Sequence, residues 1–335
     1  SKPDASDMIT DAAWTLRFEH NGHQYQWHAV VLDEQRVTDA HTRRTTYYGR
    51  EFASSAQFKV EELKLDGQEL AKQDGGVFRF KSKDLPKLNA KSSVLTLLSG
   101  EAEVERAGAG LRLVEEIDAD ALGGVANTDV TLLHELRPGM MTLDMIREVR
   151  LPLIFGAYTL QEVLPEKWND VKEKFISIFD TVQDVRITRD EVSWGDAITA
   201  RYVLRFRERS ARDWIIGPEI SAGMRRVLAT ILGIRLTPDD SVILIDELEN
   251  SLGKNCLPAM VDLLLENAHR LQFIITSHHP YVINNIPISE WKLVQRRGSV
   301  VQIKNARDIP SLQRASHFEA FDRLMNLSDA DTGLP

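Results

Sequence analysis

The sequence predicts an α/β core joined to an antiparallel β-subdomain and a helical lobe. Three observations predict it. Alternating apolar residues flank Asn-Gly and Asp-Gly turns in the first 85 residues, and a three-to-four residue apolar spacing follows to about residue 180. In the last third, the short unbroken apolar runs Val242–Ile245 and Phe273–Ile275 alternate with helical patterns. Such runs fit strands covered on both faces, as in a parallel sheet, and helix–strand alternation implies an α/β core.

The elements follow in order. Residues 14–37 read as a β-hairpin: Trp14, Leu16 and Phe18 alternate, Asn21-Gly22 turns, and Tyr25, Trp27 and Ala29 alternate back. Asn-Gly suits the positive φ angles of a two-residue type I′ turn. Phe58–Leu65, the turn Asp66-Gly67, and Val77–Phe80 after Gly75-Gly76 extend the same sheet. Residues 1–85 are therefore expected to be antiparallel sheet and 86–181 a helical lobe, in which Trp168, Val171, Phe175 and Ile178 share a face behind Pro165. Residues 182–310 form the α/β core, with 311–335 as a tail. Within the core, Tyr202, Leu204 and Phe206 oppose Arg201, Arg205, Arg207 and Arg209 on one strand. Helix faces are Met224, Val227, Leu228, Ile231 and Leu232, then Leu257, Met260, Val261 and Leu264. Residues 291–303 read as a last hairpin around Arg296-Arg297-Gly298-Ser299.

Composition bounds the function. The 335 residues are 43% hydrophobic and 27% charged, as in globular proteins. No apolar run approaches the roughly 18 residues of a membrane span, and the N-terminus has no signal-peptide pattern. Cys256 is the only cysteine, so no disulfide framework or cysteine zinc site is expected, and a reducing cytoplasm is the expected location. A net charge of −9 argues against a protein that coats nucleic acid over its whole surface, while leaving room for a local basic groove.

Three stretches carry chemistry. Ile220–Arg226, "ISAGMRR", opens a helix that Ser221 can cap, and its small residues leave backbone N–H groups open to an anion. The plain alternative is an ordinary capped helix. In "SVILIDELENSLGKN", residues 241–255, a buried strand delivers Asp246 and Glu247 side by side. Asp246 can orient water around Mg²⁺, which keeps several waters and takes one or two carboxylates. Glu247 can align and deprotonate an attacking water. An acidic loop is the alternative. Finally, Thr276-Ser277-His278-His279-Pro280 follows the strand Gln272–Ile275. Successive histidines point in different directions and make a poor metal pair, so sensing a phosphate suits them better.

The order of these stretches resembles the ATP-binding-cassette (ABC) ATPase superfamily, a P-loop NTPase fold. It is most similar to the stand-alone "AAA-type" heads related to RecF and the overcoming-lysogenization-defect (OLD) proteins of DNA repair and phage defence. The family's "LSSG", "LLIDEPENGLHP" and "TTHSPYLL" correspond to "ISAGMRR", "ILIDELENSLGK" and "TSHHPYVIN". The resemblance implies that Ser221, Ala222 and Gly223 form the signature motif, which grips the nucleotide of an opposite subunit. It implies Asp246 as the Walker B residue on Mg²⁺, Glu247 as the catalytic glutamate, and Asn250 to Gly253, with Ser251, as the D-loop. His278, not His279, matches the switch histidine. The cofactors implied are ATP and Mg²⁺. The partners implied are a second copy meeting the first head to head across ATP and an effector protein, with DNA possible. The activity implied is ATP hydrolysis by a subunit that switches a DNA-repair or anti-phage complex. The alternative is a non-hydrolysing scaffold that assembles a nuclease or toxin complex.

The sequence departs from the family in places. Ala222 replaces a common Ser or Gly, Leu248 replaces the proline after the glutamate, and Gly253-Lys254 replaces His-Pro. No G-x-x-x-x-G-K-[ST] phosphate loop (Walker A) occurs in these residues. Three expectations stay open: a loop in residues preceding Ser1, a pseudo-ATPase, or a loop supplied by another chain.

Other clusters have plain alternatives. His20 and His23 face across the Asn-Gly turn with no evident third metal ligand. Arg43, Arg44, Tyr47, Tyr48 and Arg50 mix bases with aromatics as nucleic-acid contacts do, or form a solvated strand. OLD relatives carry a Toprim nuclease with an Asp-x-Asp. Asp118-Ala119-Asp120 and Asp329-Ala330-Asp331 fit solvated loops better.

Overall fold

The computed structural model describes residues 11–33, 56–86, 88–89, 91–117, 122, 126–128, 141–194, 197–253, 255–297, 300–313 and 319. The Arg43–Arg50 cluster and both Asp-Ala-Asp stretches lie outside them. The chain divides into two units, Ser1–Leu113 and Val114–Pro335.

The first unit is a six-stranded antiparallel sheet in sequence order: β1 Asp11–His20, β2 His23–Asp33, β3 Ala56–Leu65, β4 Gln68–Asp74, β5 Val77–Phe80 and β6 Lys83–Asp84. Four two-residue turns join these strands. Asn21-Gly22, Asp66-Gly67, Gly75-Gly76 and Lys81-Ser82 each have positive φ at both positions. That is the type I′ geometry, whose twist matches the flanking strands. The Asn-Gly hairpin and the Asp-Gly turn lie where the sequence predicts them. Lys81-Ser82 lacks a glycine and is not announced by composition.

One sheet face buries Tyr25, Trp27, Leu63 and Phe78 beneath α1 (Val94–Leu97) and α2 (Ala102–Arg112). Glu61 is fully buried in that face. Its carboxyl accepts from Trp27 Nε1 (2.9 Å), Gln73 Nε2 (2.6 Å), Ser93 Oγ (2.5 Å) and Val94 N (2.8 Å). Four donors fill a carboxylate's acceptor sites, so the side chain ties three strands to the first helix. On the rim, His23 Nδ1 pairs with Asp66 Oδ2 at 2.9 Å, and His20 Nε2 contacts Asn21 Nδ2. The two histidines are thus engaged separately. No cluster of three or more potential metal ligands occurs among the described residues.

The second unit begins with β7 (Val114–Glu116) and β8 (Ala126–Thr128), followed by α3 (Leu143–Val149), α4 (Leu153–Val163) and α5 (Pro165–Ile178). Proline opens α5, and Trp168, Val171 and Phe175 are its buried stripe. The long strands β9 (Val182–Trp194) and β10 (Ala197–Glu208) follow, then the short β11 (Ile215–Ile216). Tyr202, Leu204 and Phe206 turn inward, while Arg201 and Arg205 both reach Asp190 of β9, at 3.5 and 2.9 Å. Arg201 and Arg205 of the arginine face are therefore paired across their own sheet.

The α/β core is built from α6 (Ala222–Leu236), β12 (Val242–Ile245), α7 (Cys256–Asn267), β13 (Gln272–Ile275) and α8 (Pro280–Asn285). β12 lies parallel between β13 and β7. Helix α6 is buried on nearly every side from Val227 to Ile234, and α7 buries Leu257, Met260, Val261 and Leu264. β14 (Lys292–Arg297) and β15 (Val300–Asn305) form the last hairpin, and α9 (Pro310–Gln313) follows. No helix among the described residues is long and apolar enough to cross a membrane.

Two strands depart from the helical reading of residues 86–181: β8, which pairs with β10, and β7. The Val-Glu-Glu text of β7 has no strand period, and only its pairing with β12 makes it a strand. Glu115 sits opposite Ile243, which is fully buried. Burial pushes the Glu115 carboxyl above its ordinary range, partly offset by Arg150 3.4 Å away.

Two predictions follow from packing. Glu61→Leu leaves four donors without their acceptor and is expected to destabilise the first unit by roughly 3–5 kcal/mol, read from urea unfolding by tryptophan fluorescence. Glu115 binds its proton more tightly folded than unfolded. Its unfavourable contribution is absent below the ordinary glutamate value of 4.5 and grows as pH rises through the folded value. Glu115→Gln should therefore raise the melting temperature at neutral pH and match the parent in acid.

Candidate functional site

The site is built where β12 and β13 end. The strands pair in register from Val242 with Gln272 to Ile245 with Ile275, so their next residues emerge level. Thr276 N donates to Ile245 O (3.0 Å), and Leu248 N donates to Thr276 O (3.1 Å). Thr276 Oγ1 donates to Asp246 Oδ1 at 2.5 Å and accepts from Glu247 N at 2.7 Å. A single hydroxyl thus orients the first carboxylate and pins the backbone of the second.

Both Asp246 and Glu247 are solvent-exposed, and among the described residues no salt bridge neutralises either one. Glu247 adopts φ 46°, in the left-handed region that costs a non-glycine residue about 1–2 kcal/mol. Three bonds hold it there. Besides the bond from Glu247 N to Thr276, Asn250 N donates to Glu247 O at 2.8 Å. The Arg226 guanidinium donates to the carbonyls of Asp246 (2.7 Å) and Glu247 (2.9 Å).

Arg226 and Gly223 lie three apart on α6 and face the same turn. Gly223 is there because the Ser251 carbonyl is too near for a side chain: an added Cβ would lie 2.4 Å from Ser251 O. Ser251 itself has φ 62°, and Ser251 Oγ donates to Asn250 Oδ1 at 3.3 Å. Both residues are exposed. Ser221 caps α6, its Oγ accepting from Met224 N at 3.2 Å, and Ser221 and Ala222 stand exposed at the helix start.

The two histidines have separate roles. His279 caps α8, its Nδ1 accepting from Tyr281 N at 3.1 Å. The His278 side chain is 80% exposed, and its Nδ1 lies 3.0 Å from Glu249 Oε1. Burial pushes the Glu249 carboxyl up. The neighbouring Ser277 hydroxyl and the hydrogen bond from the His278 N–H outweigh that and hold it below the usual glutamate value.

Gly223, Asp246, Glu247, Asn250, Ser251 and His278 thus belong to one hydrogen-bonded and packed cluster, while Ser221 and Ala222 bond only within their own helix start. Sequence reasoning missed Thr276, Arg226 and Glu249. Thr276 carries a signal in hindsight: it is the first residue past a strand that pairs with the one ending just before Asp246. Arg226 and Glu249 stand among other charged residues, and only their reach in three dimensions singles them out.

An exposed aspartate oriented by a hydroxyl fits Mg²⁺, which needs few protein ligands and retains water. The open start of α6 suits an anion. The residues present fit the metal and water side of a nucleotide site. The lysine-bearing phosphate loop is not part of this cluster.

The model of the family described as "AAA domain, putative AbiEii toxin, Type IV TA system" matches residues 17–284. No curated protein matches the chain. Among solved structures, the SMC head bound to the C-terminal winged-helix domain of ScpA is similar at 11% identity, covering 84% of this chain and 73% of that one with a TM-score of 0.40. The Smc head with an extended coiled coil from Pyrococcus furiosus, bound to the C-terminal domain of ScpA, is 10% identical over 90% and 80%, with a TM-score of 0.38. The SMC head domain from Thermotoga maritima is 10% identical over 84% and 74%, with a TM-score of 0.32.

The Gly223 contact generates a test. Gly223→Ala must push α6 from the turn at Ser251 and is expected to destabilise the second unit by about 1–3 kcal/mol, as overpacking does. Denaturant unfolding measures the loss, and hydrogen exchange should quicken at residues 246–252.

Proposed function

This chain belongs to the AAA-domain family described as a putative AbiEii toxin of type IV TA systems, and from that premise we propose a division of labour for its ATPase-type domain. Two copies close on magnesium-bound ATP, each lending residues to the other's site, and the closure switches an effector complex of anti-phage defence or DNA repair. The observation that supports this best is the level ending of β12 and β13, which joins Asp246 and Glu247 to Thr276 and ties His278 to the same turn through Glu249.

Magnesium–ATP, when bound, supplies the scissile phosphoanhydride. The remaining chemistry belongs to the chain. Asp246, oriented by the Thr276 hydroxyl, would hold the water of a bound Mg²⁺ through its exposed carboxylate. Glu247 stands next to it with its backbone fixed, so its carboxylate can align a water and accept the proton. His278, with its ring exposed, would meet the terminal phosphate. Ser221, Ala222 and Gly223 offer the open N–H groups of α6 to the nucleotide of the second copy, and Asn250 and Ser251 cross between copies. The catalytic strategy is positioning and charge stabilisation.

A second reading keeps the same surfaces as a scaffold without turnover.

Glu247→Gln in the full natural chain is expected to lower phosphate release a hundredfold or more, since it removes the general base. The variant should keep ATP bound and elute as a dimer. Undiminished phosphate release would overturn the assignment of Glu247. A parent protein that releases no phosphate and forms oligomers indifferent to nucleotide would favour the scaffold.

A further inference from the structure

The Glu249 carboxyl is nearly buried, its side chain 11% exposed, whereas the His278 ring beside it stands 80% exposed. Glu249 Oε1 touches His278 twice. It accepts the backbone N–H at 2.7 Å and lies 3.0 Å from ring Nδ1. The backbone contact is a hydrogen bond that fixes where the residue starts, and the ring contact is an ion-pair approach that sets which ring nitrogen faces the carboxylate. Glu249 is itself anchored, because Leu252 N donates to Glu249 O at 3.0 Å within the turn that follows β12. The pair therefore bridges the two strand ends a few residues beyond the point where Thr276 bridges them.

A carboxylate accepts and does not donate, so the ring nitrogen facing it carries hydrogen. In the neutral ring this selects the Nδ1–H tautomer and leaves Nε2 as an acceptor. In the imidazolium, Nδ1–H stays with the carboxylate and Nε2–H becomes a donor. In both forms Nε2 is the nitrogen turned away from Glu249, on a side chain that projects into solvent.

We propose that Glu249 is a positioning residue that fixes the tautomer and direction of His278, so that Nε2 alone is presented to an anionic phosphoryl ligand. The role of Glu249 rests on the reading of His278 given above. It is distinct from that of Glu247: Glu249 is sunk in the fold and acts through the histidine, while Glu247 is open to solvent. A carboxylate that orients a metal-bound histidine commonly carries 10- to 100-fold in activity, and a comparable share is expected here.

The test combines ring spectroscopy with a mutant cycle in the full natural chain. Histidine labelled with ¹⁵N reports the tautomer of His278, assigned by its loss in His278→Gln. The parent should show hydrogen on Nδ1. Glu249→Ala should shift the neutral ring toward the Nε2–H form, and Glu249→Gln, which keeps an acceptor oxygen, should restore the parent pattern. In phosphate release, Glu249→Ala should lower kcat roughly tenfold, and adding it to His278→Gln should cost nothing further. An unchanged tautomer in Glu249→Ala, or full additivity of the two substitutions, overturns the proposal. A tautomer that shifts in a parent protein with no turnover supports the positioning role and instead defeats the hydrolytic reading of the site.

Discussion

Four backbone pairs, Val242 with Gln272 through Ile245 with Ile275, are the constraint on which the site depends. Side chains alternate along a strand, so a slip of one residue would turn Ile243 and Ile245 out of the core. It would also separate Thr276 from Asp246. Because those isoleucines are buried against α6 and α7, the register is fixed by apolar packing, and the polar chemistry at the strand ends inherits its alignment. The hydroxyl–carboxylate contact between Thr276 and Asp246 is a consequence of that packing rather than its cause.

Helix α6 is the second fixed body. It is buried along most of its length yet open at its first turn, where Ser221 caps it. Its face carries a residue too small to hold the turn away, Gly223, and one long enough to grip it, Arg226. The turn in return holds two non-glycine residues at positive φ, Glu247 and Ser251. Such strain persists only where the surroundings overdetermine the backbone, and three hydrogen bonds on Glu247 do that here. The start of α6 and the carboxylate turn are therefore mechanically joined. In the proposed dimer, whatever meets the helix start is one side chain away from the residue assigned to activate water.

The first unit shows how unevenly a sequence reveals its own structure. Asn21-Gly22 and Asp66-Gly67 are visible because those residue types tolerate the φ values that a I′ turn demands. Lys81-Ser82 adopts the same geometry under the pull of the strands it joins, and nothing in its composition says so. Glu61 is hidden for a related reason. In "VEELKL" it looks like one more charged residue on an amphipathic strand, and only the fold supplies the four donors that allow it to be buried.

The sequence by itself determined the class of fold and the strand ends at which the candidate site residues stand. Unbroken apolar runs meant covered strands, and Asp246-Glu247 followed one directly and Ser277-His278 another after one residue, so local text alone put both at strand ends. Tertiary structure decided which neighbours complete them. Thr276, Arg226 and Glu249 act across 20 to 30 residues of chain on groups they meet only after folding. β7 is a strand only because β12 offers it a partner. Separation in sequence carries no record of distance in space, and hydrogen bonds made at 3 Å are set by packing that no single stretch of residues contains.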